Sequence, residues 1–307
     1  MKNKWEKKGK IIDVQSNLPW MKTHTMIPTV DHISENNFRV YFSGRDDDNR
    51  SQIGYADIII VGESIELIGY SEKPILTHGK LGCFDDCGVT PSSIVNYQGK
   101  KYLYYIGWKR SSSVRMGLIG GLAISENEGK TFKRYSRAPI LNNTDSEPFS
   151  IQTAPFVLKE KDIWRMWYVS CVEWVNPDLP RYNIKYAESL DGINWKRDGV
   201  IAIDFIDSDE NALARPCVLN DNGIYRMWFS YKSFKLPFYR MGYAESIDGI
   251  QWKRMDNLAG IDVTSNSFDS KMIEYPNVIK HCGRMYMFYN GDNYGADGIG
   301  LAVKAEY

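Results

Sequence analysis

The chain carries no excess of charge: 38 basic and 38 acidic residues cancel, and the isoelectric point is near neutral. That balance leaves no positive footprint for nucleic acid or an anionic membrane. No apolar run approaches the roughly 18 residues a spanning helix needs, so no membrane span is expected. The basic N-terminal stretch MKNKWEKKGKIIDVQ lacks the apolar segment of a signal peptide. Cysteine is scarce, and Cys83, Cys87, Cys171, Cys217 and Cys282 form an odd, scattered set. Such a set predicts reduced thiols in a cytoplasmic protein. Cys83 and Cys87 have no second Cys or His pair to complete a metal site, so no metal and no cofactor are expected. No GxSxG elbow and no phosphate-cradling glycine loop is present.

What the chain does have is aromatic and apolar content, 13% and 43% of residues, enough for a sizeable core. It also repeats itself. YAESLDGINWKR, Tyr186 to Arg197, returns as YAESIDGIQWKR, Tyr243 to Arg254. Weaker copies centre on Ala56, Ala123 and Ala302. Each copy follows an apolar stretch marked by proline: Pro28, Pro91, Pro155, Pro216 and Pro276. An aromatic segment lies between the two marks, as in RVYFSG, KYLYYIGW and RMWYVS.

These segments are short, rich in Tyr, Trp, Val and Ile, and punctuated by NG, DG and GK turns, which predicts strands. No long 3.6-residue period interrupts them. Four short strands per unit, repeated about every sixty residues, predict an all-β fold. The architecture expected is a single five-bladed β-propeller spanning 1–307. Its blades fall near 22–80, 81–145, 146–205, 206–262 and 263–307 plus 5–12. The fifth unit lacks an outer strand after LAVKAEY, and WEKKGKII matches the outer-strand text WKRDGVIA. The ring is therefore expected to be closed by an N-terminal strand, Trp5 to Ile12, which leaves no open edge. In the duplicated SxDGIxW segments, Asp191 and Asp248 suit a turn and the glycine permits a positive φ. The duplication is architecture.

Chemistry is expected where the proline-marked inner strands begin. Reading before each proline gives His24 and Thr25, Asp85 and Asp86, Gln152 and Thr153, Glu210 and Arg215, and Asp269 and Glu274. Polar groups opening apolar strands are costly unless paired or solvated. The turns after the aromatic strands add Arg45, Asp46, Trp108, Glu173, Trp174, Lys232 and Asn290. Carboxylates, guanidiniums and flat aromatics suit a carbohydrate, whose ring faces stack on indoles. A pair of carboxylates also suits glycosidic cleavage, one protonating the leaving oxygen and one activating water or attacking the sugar. Asp86 or Asp85 is expected as one catalytic acid or base, with Glu274 or Glu210 as its partner. His24, Arg45, Asp46, Gln152, Glu173, Arg215, Lys232 and Asn290 are expected to bind substrate, and Trp108 and Trp174 to serve as platforms.

On the five proline-marked strands, the YAES and SxDGIxW turns, and phrases such as FDDCGVTPSSIV and ENALARPCV, the whole chain resembles the five-bladed glycosidase clan. Its branches are the arabinanase/xylosidase, invertase and mannoside-phosphorylase types. It looks closest to glycosidase-like proteins of bacterial surface-polysaccharide clusters. SENEGKTF, Ser125 to Phe132, similarly resembles the Asp-box turn of sialidase-type propellers. The clan implies a carbohydrate-active enzyme acting on glycosidic bonds, with a carbohydrate or sugar-phosphate substrate; a homo-oligomer is compatible with it. In its hydrolase branches an Asp directly precedes an inner-strand proline, and a Glu stands two residues before another. Glu274 fits the second rule, although it falls in the fifth unit rather than the expected middle one. The first fails, because Ile27, Thr90, Ala154, Arg215 and Tyr275 precede the five prolines. Phosphorolysis or transfer using a sugar phosphate, or a glycan-binding propeller without catalysis, are the alternatives.

Overall fold

Alternation of buried and solvated residues, with turn residues every ten or so positions, produces strands almost throughout. The computed structural model describes residues 4–305. Its strands form antiparallel meanders, each running from an inner, largely buried strand to a short outer one. The first holds β2 (Thr23–Ser34), β3 (Asn37–Arg45), β4 (Ser51–Val61) and β5 (Ser64–Tyr70). The second holds β6 (Gly88–Tyr97), β7 (Lys100–Arg110), β8 (Met116–Ser125) and β9 (Lys133–Arg134). The third holds β10 (Ile151–Glu160), β11 (Ile163–Asn176), β12 (Leu179–Ser189) and β13 (Ile201–Ile203). The fourth holds β14 (Glu210–Asp221), β15 (Ile224–Ser233), β16 (Arg240–Ser246) and β17 (Lys253–Arg254). The last joins β18 (Glu274–His281), β19 (Arg284–Asn290) and β20 (Ile299–Ala305) to β1 (Glu6–Ile12), which pairs antiparallel with β20.

Hydrogen bonding does not keep these meanders as separate sheets. Short parallel contacts, Ser51 with Gly88, Ile151 with Leu118 and Tyr182 with Ala212, fuse four of them into one 16-stranded sheet. The remaining sheet has four strands, and side chains bridge it to the larger one. Asn290 Oδ1 accepts the Ile27 amide at 2.8 Å, and Asn290 Nδ2 donates to the Thr25 carbonyl at 2.7 Å. Asn277 Oδ1 accepts the Val30 amide at 3.1 Å. On the other flank Ser230 Oγ accepts the Tyr275 amide at 2.8 Å. Buried Trp and Tyr rings of the second strands fill the space between meanders, with Trp5 edge-on to Trp228 at 5.9 Å. Among the described residues no helix is long and apolar enough to cross a membrane.

Every inner strand breaks register at its proline, which lacks the N–H a regular ladder needs. In four of them the preceding residue is left-handed: Ile27 (φ 54°), Ala154 (48°), Arg215 (50°) and Tyr275 (56°). A bulge of this kind re-aims side chains. A β-branched residue such as Ile27 held there is strained, and strain persists only where packing over-determines it.

The duplicated turns are structural. Asp191 Oδ1 accepts the amides of Ile193 and Asn194, both at 2.8 Å, and the Ser189 hydroxyl at 2.9 Å. The Gly192 carbonyl accepts the Tyr104 hydroxyl of the preceding meander at 2.7 Å, and Gly249 accepts Trp167 Nε1 at 2.9 Å. Gly192 has φ 73°, and a Cβ there would lie 2.8 Å from the Tyr104 hydroxyl and 2.9 Å from the Trp164 ring. Gly192→Ala is expected to destabilise the protein by about 2 kcal/mol or more in urea unfolding. A loss below about 0.5 kcal/mol would show that the turn does not pin neighbouring meanders.

Candidate functional site

Several of the expected acids are bound into the frame. Asp85 is buried, and its Oδ2 accepts the Tyr105 hydroxyl at 3.0 Å and Arg134 Nε at 2.7 Å. Glu210 accepts Arg254 through both oxygens, at 2.7 and 2.6 Å, beneath a guanidinium 5.1 Å from the Phe229 ring centre. Glu147 repeats the device with the Tyr168 hydroxyl at 2.8 Å and Arg197 at 3.0 Å. Asp269 does so with Tyr289 at 3.2 Å and with Lys7. In each case an acid entering the inner strand is tied to a cation of the outer strand or, for Arg197, of the segment leading into it. Asp85 and Glu210 therefore tie the inner to the outer strand within their own meanders, a role the sequence reading assigned to neither.

Other expected ligand-binding residues also have structural partners. Asp46 accepts the Asp48 and Arg50 amides at 3.0 and 2.9 Å and shapes the turn after β3. The Gln152 amide donates to the Glu147 carbonyl at 3.1 Å, and Glu173 is exposed and paired with Arg181 at 2.7 Å. Asn290 is consumed by the seam between sheets. Arg215 is buried and reaches from the fourth meander to the first, donating to the Pro28 carbonyl at 3.0 Å and Thr29 Oγ1 at 3.2 Å. Burial lowers its pKa to about 10.

Glu274 differs from all of these. It opens β18, has no exposed surface, and neither carboxylate oxygen has a hydrogen-bond partner. Burial pushes its pKa well above the usual carboxylate range; Lys232 and Tyr275 oppose that and Asp292 adds to it. Burial therefore favours the neutral form of this carboxyl. Tyrosines surround it: Tyr182 and Tyr239 share a hydroxyl contact of 2.6 Å, and Tyr239 packs 5.8 Å from Tyr275 and 6.3 Å from Tyr294. Lys232 Nζ lies 4.8 Å from the Tyr239 ring centre. Its pKa is lowered by burial, with Glu274 opposing and Arg115 reinforcing.

A cleft of about 630 Å³ lies beside this chamber, lined among others by Met26, Arg45, Asp86, Trp108, Lys109 and Arg115. Asp86 is half-buried and accepts the Gly82 amide at 2.8 Å and the Cys87 thiol at 3.3 Å. Trp108 donates to Thr90 Oγ1 at 3.1 Å. Trp174 and Trp108 are both partly buried against the same inner apolar cluster, which includes Met26, Ile27 and Val169. His24 is brought down to about 4 by burial and by Arg45, so it is a neutral hydrogen-bonding group at pH 7. Its Nδ1 lies 2.9 Å from Thr23 Oγ1. A larger recess of about 1140 Å³ lies on the outer edge between β1 and residues 256–264, away from these groups. Among the described residues no three His, Cys, Asp or Glu side chains are grouped to hold a metal ion.

The structure thus brings together Glu274, Lys232, Arg45 and His24, with Trp108, Trp174 and Asp86 alongside. Tyr182, Tyr239, Tyr275, Tyr294, Arg115 and the structural Glu147 were missed by sequence reasoning. Tyr275 had a signal, because it directly precedes Pro276. Tyr239 and Arg115 each stand just before a third strand, a position that sequence reasoning left unread.

No protein-family model matches the chain. Two proteins of Mycobacterium tuberculosis match it nearly end to end. "Uncharacterized protein MT1551" of strain CDC 1551 / Oshkosh is 41% identical over 302 residues, 97% of this chain and 98% of its own. "Uncharacterized protein Rv1502" of strain ATCC 25618 / H37Rv is 40% identical over the same shares. Among solved structures, a glycosyl hydrolase from Bacteroides ovatus matches with TM-score 0.70 at 15% identity, over 100% of this chain and 96% of that one. A thermostable family-43 glycoside hydrolase matches with TM-score 0.64 at 19% identity, over 92% and 88%. An endo-arabinase from Bacteroides thetaiotaomicron matches with TM-score 0.60 at 15% identity, over 97% and 98%. At these identities the likeness is one of fold.

Two expectations separate frame from site. Asp85→Asn and Glu210→Gln each remove the buried anion from an ion pair with a partly buried arginine, and should lower unfolding free energy by about 2 kcal/mol. Glu274→Gln should do the reverse at neutral pH. A carboxyl whose folded-state pKa is raised contributes full stability below its ordinary value of 4.5 and loses it as pH rises from there. The glutamine variant should therefore exceed wild type in stability at pH 7, and the gap should close below pH 4.5. A gap that stays constant with pH would show that Glu274 is charged in the native protein.

Proposed function

The chain belongs to the family of the two Mycobacterium tuberculosis proteins, and we propose that it is a carbohydrate-active enzyme acting on glycosidic bonds. The observation that carries this reading is Glu274, a buried carboxyl whose oxygens have no hydrogen-bond partner and whose pKa burial raises, set in a tyrosine-lined chamber beside an open cleft. A protonated carboxylic acid held out of water is suited to give its proton to a leaving glycosidic oxygen. In that step the bond from the anomeric carbon to the leaving oxygen breaks and Glu274 becomes a carboxylate. Water or a phosphate oxygen forms the new bond to carbon. Lys232 steadies the carboxylate that results, and the Trp108 and Trp174 rings offer faces for the sugar. Asp86, on the cleft side, is the residue to activate water.

We place these groups at the hub of a single five-bladed propeller over 1–307, closed by β1. The meander order, the β1–β20 pairing and the fold shared with proteins named as glycoside hydrolases support that arrangement. Five cysteines without disulfides support a cytoplasmic setting, and the resemblance noted above supports a part in surface-polysaccharide metabolism. One observation favours a second reading, a glycan-binding module without turnover: Asp85 and Glu210 are committed to ion pairs, leaving few free carboxyls.

A panel of aryl glycosides, assayed with and without inorganic phosphate, tests the first reading. Glu274→Gln should lower kcat/KM by about 10²- to 10⁴-fold on poor leaving groups, and by less on activated ones that need no proton. Equal activity in wild type and variant would overturn the assignment. Oligosaccharide binding with no product from any substrate would establish the module instead.

A further inference from the structure

Many arginines elsewhere in this chain are neutralised by carboxylates, among them Arg134 by Asp85, Arg197 by Glu147, Arg254 by Glu210 and Arg39 by Asp57, although buried Arg215 is held by the Pro28 carbonyl and Thr29 Oγ1 instead. The cleft departs from that habit. Among the described residues Arg45, Lys109, Arg110 and Arg115 line it without a carboxylate ion pair. Arg45 is held instead by Asn49 Oδ1 at 3.2 Å and Met26 Sδ at 3.4 Å. Lys109 Nζ donates to the Gly82 carbonyl at 2.9 Å. The cleft's other arginine, Arg50, is neutralised by Asp46 and Asp48. The remaining acid, Asp86, accepts the Gly82 amide and the Cys87 thiol and forms no ion pair with these cations, so one carboxylate faces Arg45, Lys109, Arg110 and Arg115. Arg115 also stands close enough to Lys232 to disfavour its charge, an effect that burial reinforces and Glu274 opposes. Uncompensated like charges around a concave space are relieved by an anion entering it. A volume of about 630 Å³ suits a small ligand.

We propose that this cleft seats an oxyanion carried by the sugar substrate, a phosphate or carboxylate group, held by Arg45, Lys109, Arg110 and Arg115 beside the Trp108 ring. Phosphate and carboxylate share the geometry that a guanidinium fork grips through paired N–H donors. The substrate is then an acidic sugar rather than a neutral one. The proposal rests on the reading of the cleft as a carbohydrate site, but it concerns binding and not turnover.

The test is calorimetric titration of the full-length chain with glucose, galactose and mannose, each compared with its 1-phosphate and its uronic acid, and with inorganic phosphate alone. At least one anionic form should bind about tenfold or more tighter than its neutral parent, with affinity falling as salt rises. The double variant Arg110→Ala/Arg115→Ala should remove the preference, Arg115→Lys should keep part of it, and Glu274→Gln should leave it unchanged. Preference for phosphates alone or for uronic acids alone would assign the source of the oxyanion. Binding of inorganic phosphate without any sugar would keep the seat and discard the carbohydrate reading. Neutral and anionic sugars of equal affinity, a preference that survives the double variant, or no binding by any probe would overturn the proposal.

Discussion

The structure depends on a repeated buried ion pair. An acid at the entry of an inner strand reaches a cation of the outer strand or of the segment leading into it: Asp85 to Arg134, Glu147 to Arg197, Glu210 to Arg254, and Asp269 to Lys7. Each of these pairs also involves an aromatic residue of the second strand, as a hydroxyl donor in Tyr105, Tyr168 and Tyr289 and as a ring beneath the guanidinium in Phe229. Such pairs repay their desolvation only when geometry is good and the remaining donors are satisfied. Here they span from the innermost to the outermost strand, so each fixes the whole width of its meander. The first meander substitutes an aromatic contact, Trp20 against Phe42 at 5.7 Å, with Trp20 Nε1 donating to the Ser71 carbonyl.

Against that pattern Glu274 stands out. It is as buried as Asp85 or Glu210, yet no outer-strand cation reaches its oxygens. The left-handed bulge at Tyr275, directly before Pro276, supplies the geometry. The same bulge recurs at Ile27, Ala154 and Arg215, so the strain is distributed over several strands. A chain that pairs nearly every buried charge but leaves one carboxyl unpaired, near a lysine and four tyrosines, has kept an energetic cost that function would explain.

Much of the frame was legible in the sequence. The duplicated YAES turns, the proline marks and the aromatic strands gave the strand order, and WEKKGKII gave β1 by its likeness to other outer-strand text. The division of acids between frame and site was not legible. Asp85, Glu210 and Glu274 all stand shortly before an inner-strand proline and read alike. Their difference lies in partners 49 residues away for Asp85 and 44 for Glu210, on outer strands. The basic pairs KR at Lys133, Lys196 and Lys253 were the available clue, since the second residue of each is the cation that neutralises an acid. The tyrosine chamber was hidden because Tyr182 and Tyr239 enter from third strands, where the meander folds back and sequence distance says nothing about proximity.

The account turns on the charge of a single carboxyl. Carbon-13 NMR of glutamate-labelled protein, with Glu274 assigned by its absence in Glu274→Gln, measures that charge directly across a pH titration. A neutral carboxyl signal persisting at pH 7 is the predicted result. A signal that titrates with the exposed glutamates, near 4.5, would contradict it.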